Sequence, residues 1–306
     1  MSLASMLRRK GPTGFGAGSS ADDVTRDLDL SGSTILVTGI NSGIGFETMR
    51  VLALHGARVV AAARTEEKAR EASAKVVGVT LPVACELSDP ASIVACVDLL
   101  ETQGVRLDAV ICNAGIMAIP RLEQAFGYEL QFFTNHIGHF ILVTRLLDRL
   151  TEDARVVVVS SGAHRAAPTG GIEFDNLSGD RGYRPSRAYG QSKLANLLFA
   201  KELARRFEGT ARTADAVHPG VIHTNLGRSM PRAAQTGLAI VSPLVLKSTG
   251  QGAATQCFVA TRPDLAASGE YFADCNIARS SSLSRDLELA RRLWDESERI
   301  AREVLP

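Results

Sequence analysis

Short apolar runs alternate along this chain with longer stretches whose apolar residues recur every three or four positions. Thr34–Thr38 reads as a strand and Gly43–His55 as a helix, and Arg58–Ala62 followed by Glu66–Val76 repeats the pair. Val79–Ala84 is a third strand, Pro90–Glu101 a third helix and Leu107–Cys112 a fourth strand. One long helical stretch covers Gln124–Leu150. Arg155–Ser160 follows, and its four consecutive valines suit a strand buried on both faces. Tyr189–Phe207 is a helix and Arg212–Val217 a sixth strand. Met230–Ala260 is helical with a break near Pro243, Glu270–Cys275 is an edge strand, and Leu283–Val304 is a polar, amphipathic closing helix. Strand and helix alternating six or seven times predicts an α/β fold. The expectation is a doubly wound parallel sheet of about seven strands, with helices on both faces and right-handed connections. No internal repeat or second core is visible, so residues 21–306 read as one domain. Residues 1–20, rich in Gly and Ser, read as a flexible arm ending at Ser20, which caps a short helix begun by Ala21–Val24.

Composition narrows the function classes. The chain has 306 residues, 45% hydrophobic and 22% charged, an ordinary globular balance. Lys plus Arg (34) nearly cancels Asp plus Glu (33), so no field for nucleic acid or anionic membrane is implied. Cys85, Cys96, Cys112, Cys257 and Cys275 are scattered and mostly set in apolar runs. They read as buried thiols of a reducing compartment, not as a disulfide frame or a zinc site. No run approaches the ~18 apolar residues of a membrane span. Met1–Ser20 carries Arg8, Arg9 and Lys10 but no secretory apolar stretch, and the reading is a cytoplasmic protein.

Two features carry chemistry. The first strand runs into Thr38-Gly39-Ile40-Asn41-Ser42-Gly43-Ile44-Gly45, which opens a helix. Glycines there allow a tight turn and close backbone approach, and the helix N-terminus offers unpaired N–H groups to a pyrophosphate. The second strand ends at Arg64 with no Asp or Glu beside it. A carboxylate at that place suits the ribose hydroxyl of NAD, and an arginine suits a 2′-phosphate, so NADP(H) is favoured, with NAD(H) the alternative. Tyr189 and Lys193 lie four apart at the start of a helix, which stacks phenol and ammonium on one face. A neighbouring cation favours the phenolate and moves the tyrosine from about 10 toward working pH, as acid–base catalysis requires.

With Asn113-Ala114-Gly115 after the fourth strand and Ser160-Ser161 after the fifth, the chain resembles the short-chain dehydrogenase/reductases from about Leu30 to Cys275. Finer features resemble the retinol-dehydrogenase and WW-domain-oxidoreductase branch, including its bacterial members. These are Ser42-Gly43-Ile44-Gly45-Phe46-Glu47-Thr48, Asn113-Ala114-Gly115-Ile116-Met117, Asn135-His136-Ile137-Gly138-His139-Phe140 and Tyr189-Gly190-Gln191-Ser192-Lys193. The resemblance implies a single Rossmann-type domain that transfers hydride between a nicotinamide and an alcohol/carbonyl pair. It makes Tyr189 the general acid or base, and has Lys193 lower its pKa and bond the nicotinamide ribose. Ser161 holds the substrate oxygen. Asn135 holds a water that links Lys193 to solvent, while Ser160 completes the strand. It also sets Asn113, Ala114 and Gly115 beside the adenosine ribose. In Pro219-Gly220-Val221-Ile222-x-Thr224 it aims Ile222 N–H at the carboxamide and Thr224 at the diphosphate. Glu86-Leu87 stands where the family has Asp-Leu touching the adenine amine, and the longer acid can still reach.

Other readings compete on chemical grounds. His136 and His139 have a zinc-compatible spacing but no third ligand nearby, so oriented, hydrogen-bonded histidines are the reading. His164 lies near Ser161 as a base would near a nucleophile, but a hydrolase leaves the nucleotide loop unexplained. Asn176-Leu177-Ser178 matches a glycosylation acceptor by chance. Leu293 and Trp294 are candidates to cover the substrate mouth or a dimer contact. Segments near 162–188 and 226–250 should roof the nicotinamide. The second holds Met230, Leu238, Ile240, Val241 and Leu244, which implies a hydrophobic carbonyl or alcohol such as a retinoid-like aldehyde, steroid, aryl ketone or terpenoid. The alternatives are a reductase of an activated carbon–carbon double bond and a non-enzymatic NADP(H)-binding sensor. Monomer and homo-oligomer both fit.

Overall fold

The computed structural model describes residues 10–221 and 247–306. The strands, in chain order, are β1 (Thr34–Thr38), β2 (Arg58–Ala63), β3 (Thr80–Ala84), β4 (Leu107–Cys112), β5 (Gln124–Ala125), β6 (Tyr128–Glu129), β7 (Leu150–Val159), β8 (Thr213–His218), β9 (Tyr271–Ala273) and β10 (Asn276–Ile277). Eight of them form one sheet in the order β10-β9-β8-β7-β4-β1-β2-β3, all parallel except β10, which runs antiparallel to β9. β5 and β6 form a separate hairpin. The valines of β7 show why this sequence makes a central strand. Val156 and Val158 enter the core on one face of the sheet, and Val157 and Val159 enter the core on the other.

The helices on the two faces are α1 (Ala21–Thr25), α2 (Gly43–Leu54), α3 (Glu66–Ser73) and α4 (Pro90–Thr102). They continue with α5 (Leu130–Phe132, a π turn at Phe133–Ile137, then Gly138–Arg145), α6 (Pro185–Arg206), α7 (Thr249–Thr261) and α8 (Leu287–Val304). Ser20 caps α1 as expected, accepting from Asp23 N while Asp23 reaches back to the Ser20 N–H. Strand order reverses between β1 and β4, so ligand space opens at the carboxyl ends of those two strands.

Three expectations need correction. The long helix does not begin at Gln124: Phe126 (φ 53°) and Gly127 (φ 81°) turn the chain back on itself, and the Glu129 carboxylate caps a later start by accepting from Phe132 N at 2.7 Å. Apolar periodicity does not register two successive left-handed residues. The strand read at Glu270–Cys275 is not the edge, because a turn through Asp274 and Cys275 brings β10 onto β9. Leu293 and Trp294 cover no mouth. Both are buried, Trp294 against Phe140 at 4.9 Å and beneath the Arg206 guanidinium at 3.9 Å. Of the segment read as a flexible arm, residues 10–20 lie on the domain. Phe15 packs edge-on against Phe258 at 5.7 Å, and Thr13 N donates to Asn276 Oδ1 at 3.2 Å. Among the described residues no helix is long and apolar enough to cross a membrane.

Candidate active site

β1 delivers the chain into the glycine-rich turn. Gly39 has φ 75°, and a Cβ there would lie 2.9 Å from the Ala114 Cα. A Cβ on Gly45 would lie 2.3 Å from the Gly39 carbonyl oxygen, so a side chain at either place would push the turn away from β4. Helix α2 then starts with Ser42 at its N-cap making no side-chain cap bond, and its first turn holds no acid. Its N–H groups and positive dipole end are left facing a cleft. Residues expected for cofactor binding line that cleft of about 440 Å³: Gly39, Asn41, Ser42, Gly43, Ile44, Gly45, Arg64, Glu86, Leu87, Asn113, Ala114 and Gly115. Cys85, Ser88 and Thr134 join them. This donor set fits a dinucleotide: an uncapped helix end for a pyrophosphate, a cation for a further phosphate, and small residues where the backbone must come close.

Arg64 is exposed at the end of β2. Glu86 turns one oxygen back, its Oε1 accepting from Ser88 N (3.1 Å) and Ser88 Oγ (2.9 Å). The Asn113 side chain faces inward, with Nδ2 donating to the Thr38 carbonyl at 2.8 Å and Oδ1 accepting from Gln256 Nε2 at 3.2 Å. Pro219 and Gly220 (φ 90°) form the turn after β8. Ile222, Thr224 and the apolar segment Met230–Leu246 lie outside the described residues.

The other group of residues gathers where β7 ends and α6 begins. Pro185 opens α6 four residues earlier than its periodicity suggested, so Tyr189 sits about one turn and Lys193 about two turns inside a formed helix. Ser161 Oγ accepts from Ala163 N at 3.2 Å, and its hydroxyl lies near enough to the Tyr189 phenol to favour the ionised form. Lys193 Nζ donates to the Val159 carbonyl at 3.0 Å and stands 5.7 Å from the centre of the Tyr189 ring. Ser160 completes the junction, its hydroxyl donating to the Lys193 carbonyl at 2.7 Å. Asn135, fully buried in the π turn, clamps the backbone of Ile116. Its Oδ1 accepts from Ile116 N (2.8 Å), and its Nδ2 donates to Ile116 O (2.9 Å) and Ser192 Oγ (3.0 Å). Gly115 and Ile116, at the end of the cleft, thus adjoin Lys193 and Asn135.

The electrostatics correct one expectation. Burial raises the Tyr189 phenol above its ordinary 10, against the opposing pull of the Ser161 hydrogen bond. The pull of Lys193, itself lowered to about 8 by burial and still mostly charged at neutral pH, does not outweigh that burial. In this state the phenol holds its proton at neutral pH.

Among the histidines, His164 is spent on the backbone: Nδ1–H donates to the Ser161 carbonyl at 2.6 Å and Nε2 accepts from Ser281 N at 3.2 Å. It is no base for the Ser161 hydroxyl. His136 donates to Ser297 Oγ at 2.8 Å and His139 bonds Thr38 at 2.9 Å, so the two rings serve different partners. Sequence reasoning passed over Thr38, whose hydroxyl accepts from both Asn113 N and Ala114 N at 2.9 Å. It also missed His218, whose Nδ1 accepts from Gly162 N (3.3 Å) and Gly220 N (3.4 Å) and so ties the Ser161 turn to the Pro219 turn. Gln131 was missed too: its Oε1 accepts from Ala118 N at 2.6 Å and holds that residue at φ 51°. The spacings of Thr38–Asn113, His218–Gly162 and Gln131–Ala118 do not signal these partners, because each pair joins different strands, turns or a helix and a loop.

Residues 33–235 match the family described as short chain dehydrogenase. The chain is 39% identical to short-chain dehydrogenase TIC 32 A, chloroplastic, of Brassica napus, over all of both chains. It is 41% identical to retinol dehydrogenase 12 of Mus musculus, covering 89% of this chain and 87% of that one, and 38% identical to retinol dehydrogenase 14 of Homo sapiens, covering 88% and 86%. Among solved structures, an uncharacterised protein from Mycobacterium paratuberculosis superposes with a TM-score of 0.76 at 34% identity, over 92% of this chain and 98% of that one. The angucycline C-6 ketoreductase LanV with bound NADP shares the fold, with a TM-score of 0.62 at 24% identity over 79% and 94%. The glycine turn, the Ser161–Tyr189–Lys193 group and these likenesses agree, and the chain belongs to the short-chain dehydrogenase/reductase family, in its retinol-dehydrogenase-like branch.

Proposed function

We propose that the protein is an NADP(H)-dependent oxidoreductase that interconverts a hydrophobic alcohol and its ketone or aldehyde. The observation that carries this reading is the placing of Tyr189 beside Lys193, whose Nζ stands 5.7 Å from the centre of the phenol ring and next to Gly115 at the end of the dinucleotide-shaped cleft. A bound nicotinamide would supply or accept the hydride. Tyr189 OH, protonated at neutral pH, donates to the carbonyl oxygen in reduction, and Ser161 Oγ donates to the same oxygen as negative charge develops on it. The positive Lys193 stabilises the phenolate left behind, and Asn135 keeps Ile116 and α6 in place around it. The uncapped start of α2 would hold the pyrophosphate, Arg64 the 2′-phosphate, and Glu86 the adenine side. A cytoplasmic setting agrees with five free, buried thiols.

The test is turnover of a panel of apolar aldehydes and ketones with NADPH and NADH in parallel, with product analysis. Carbonyl reduction with NADPH supports the reading. Reduction at a carbon–carbon double bond, or cofactor binding with no turnover across the panel, overturns it.

A further inference from the structure

A continuous hydrogen-bonded path crosses the molecule from the nucleotide turn to the catalytic helix, and each proton on it can be placed. The carbonyl of Asn135 can only accept, so the 3.0 Å contact with His139 Nδ1 requires a proton on Nδ1. The ring is completely buried, and burial lowers it to about 4, so it is neutral. Nε2 is therefore bare and accepts from the Thr38 hydroxyl at 2.9 Å. The other acceptor near that hydroxyl, the Ile111 carbonyl, is at 3.5 Å. With its proton committed, the Thr38 oxygen accepts from Asn113 N and Ala114 N. At the far end, Asn135 Nδ2 donates to Ser192 Oγ, which donates to the Tyr189 carbonyl at 2.8 Å.

We infer that His139 is a positioning residue that couples the cofactor cleft to the catalytic helix, by holding the Asn135 carbonyl with one ring nitrogen and the Thr38 hydroxyl with the other. The π turn makes this geometry. Gly138 N reaches back five residues to Phe133, and the wider turn lets the side chain at 139 address the carbonyl one turn earlier. His136 makes the contrast: Ser297 Oγ already donates to Leu293 O, so His136 donates from Nε2, and its Nδ1 finds no partner among the described residues. The inference rests on the proposed function only in naming Tyr189 and the dinucleotide as what the path connects.

Two measurements test it. In protein labelled with ¹⁵N-histidine, His139 should show a protonated Nδ1 and a bare Nε2 across neutral pH, with the Nε2 resonance moved by Thr38→Val. A proton on Nε2, or no response to Thr38→Val, overturns the assignment without reference to catalysis. In a double-mutant cycle with Thr38→Val and His139→Leu, each single change should weaken NADPH binding, read by fluorescence, and lower kcat, each by about tenfold. The double variant should be within about twofold of the worse single one. Losses that multiply, or single variants that bind and turn over like the wild type, overturn the coupling. His139→Asn retains a donor for Asn135 and His139→Gln an acceptor for Thr38, and both conserve a polar side chain should the leucine variant fail to fold. Full NADPH affinity in either one shows that the two ends are not coupled. A wild-type protein that binds NADPH but reduces nothing in the panel refutes the functional reading, while the tautomer and the binding cycle still decide this one.

Discussion

At the scale of single residues, the sequence pattern picks out candidate groups more readily than their electrostatics. Tyr189, Lys193, Ser161 and Asn135 were singled out from type and order, and the structure gathers them at the end of β7, the start of α6 and the π turn: Lys193 Nζ stands 5.7 Å from the Tyr189 ring centre, and Asn135 donates to Ser192 Oγ. Which way their pKa values move was not legible, because desolvation depends on what the fold packs around each group. Tyr189→Phe removes the transferable proton and should lower kcat by about a hundredfold or more while NADPH binding persists. Turnover at the wild-type rate would show that another group protonates the oxygen. Arg64→Ala should cost NADPH about ten- to a hundredfold in Kd and leave NADH nearly unchanged, since one charge-assisted contact to a phosphate is lost. Equal loss for both cofactors would place Arg64 away from the 2′-phosphate.

At the scale of elements, periodicity located nearly every helix and strand, and the errors gathered where the backbone leaves regular dihedrals. Positive φ at Phe126 and Gly127 replaced the first turn of a helix with a hairpin, and positive φ at Asp274 and Cys275 added β10. Of the four, Gly127 and Asp274 are residue types suited to such a turn, but Phe126 and Cys275 give no signal of it. The Ser20 cap was readable because it acts within four residues, whereas a second one, at Ser248, was not singled out. Ser248 caps α7 by a reciprocal pair with Gln251, its hydroxyl accepting from Gln251 N while its own N–H donates to Gln251 Oε1 at 3.1 Å. Ser248→Ala should destabilise the protein by about 1 kcal/mol, a fall of about 2 °C in Tm, with cofactor affinity unaltered. An unchanged Tm would mean that tertiary packing alone holds the start of α7.

At the scale of the whole molecule, a buried carboxyl in the sheet gives stability a pH dependence. Asp215 lies in β8, 1% exposed, and accepts from Glu270 N at 2.8 Å. Burial lifts its pKa from 3.8 to about 7, with Glu270 adding repulsion and Arg155 and Lys201 opposing. A raised folded-state pKa means that the folded protein binds the proton more tightly than the unfolded chain. The contribution is full below about pH 4, declines as pH rises toward 7, and is absent above it. Asp215→Asn keeps an oxygen acceptor for Glu270 N but no longer ionises. In urea unfolding it should gain on the wild type between pH 5 and pH 8, by up to a few kcal/mol. A stability difference that does not change with pH would show that Asp215 stays ionised throughout.

By itself the sequence determined the alternation of strand and helix, the glycine turn at the end of β1 and the order of the catalytic types, because these are local: periods of two and 3.6 residues, and spacings within one turn. The tertiary structure decided what touches across distance. It placed His139 between Thr38 and Asn135, His218 between two turns, Gln256 behind Asn113, and Trp294 in the core instead of at a mouth. Those contacts join residues far apart in the chain or on opposite sides of a bend, and their energies depend on burial that only the closed sheet and its packed helices create.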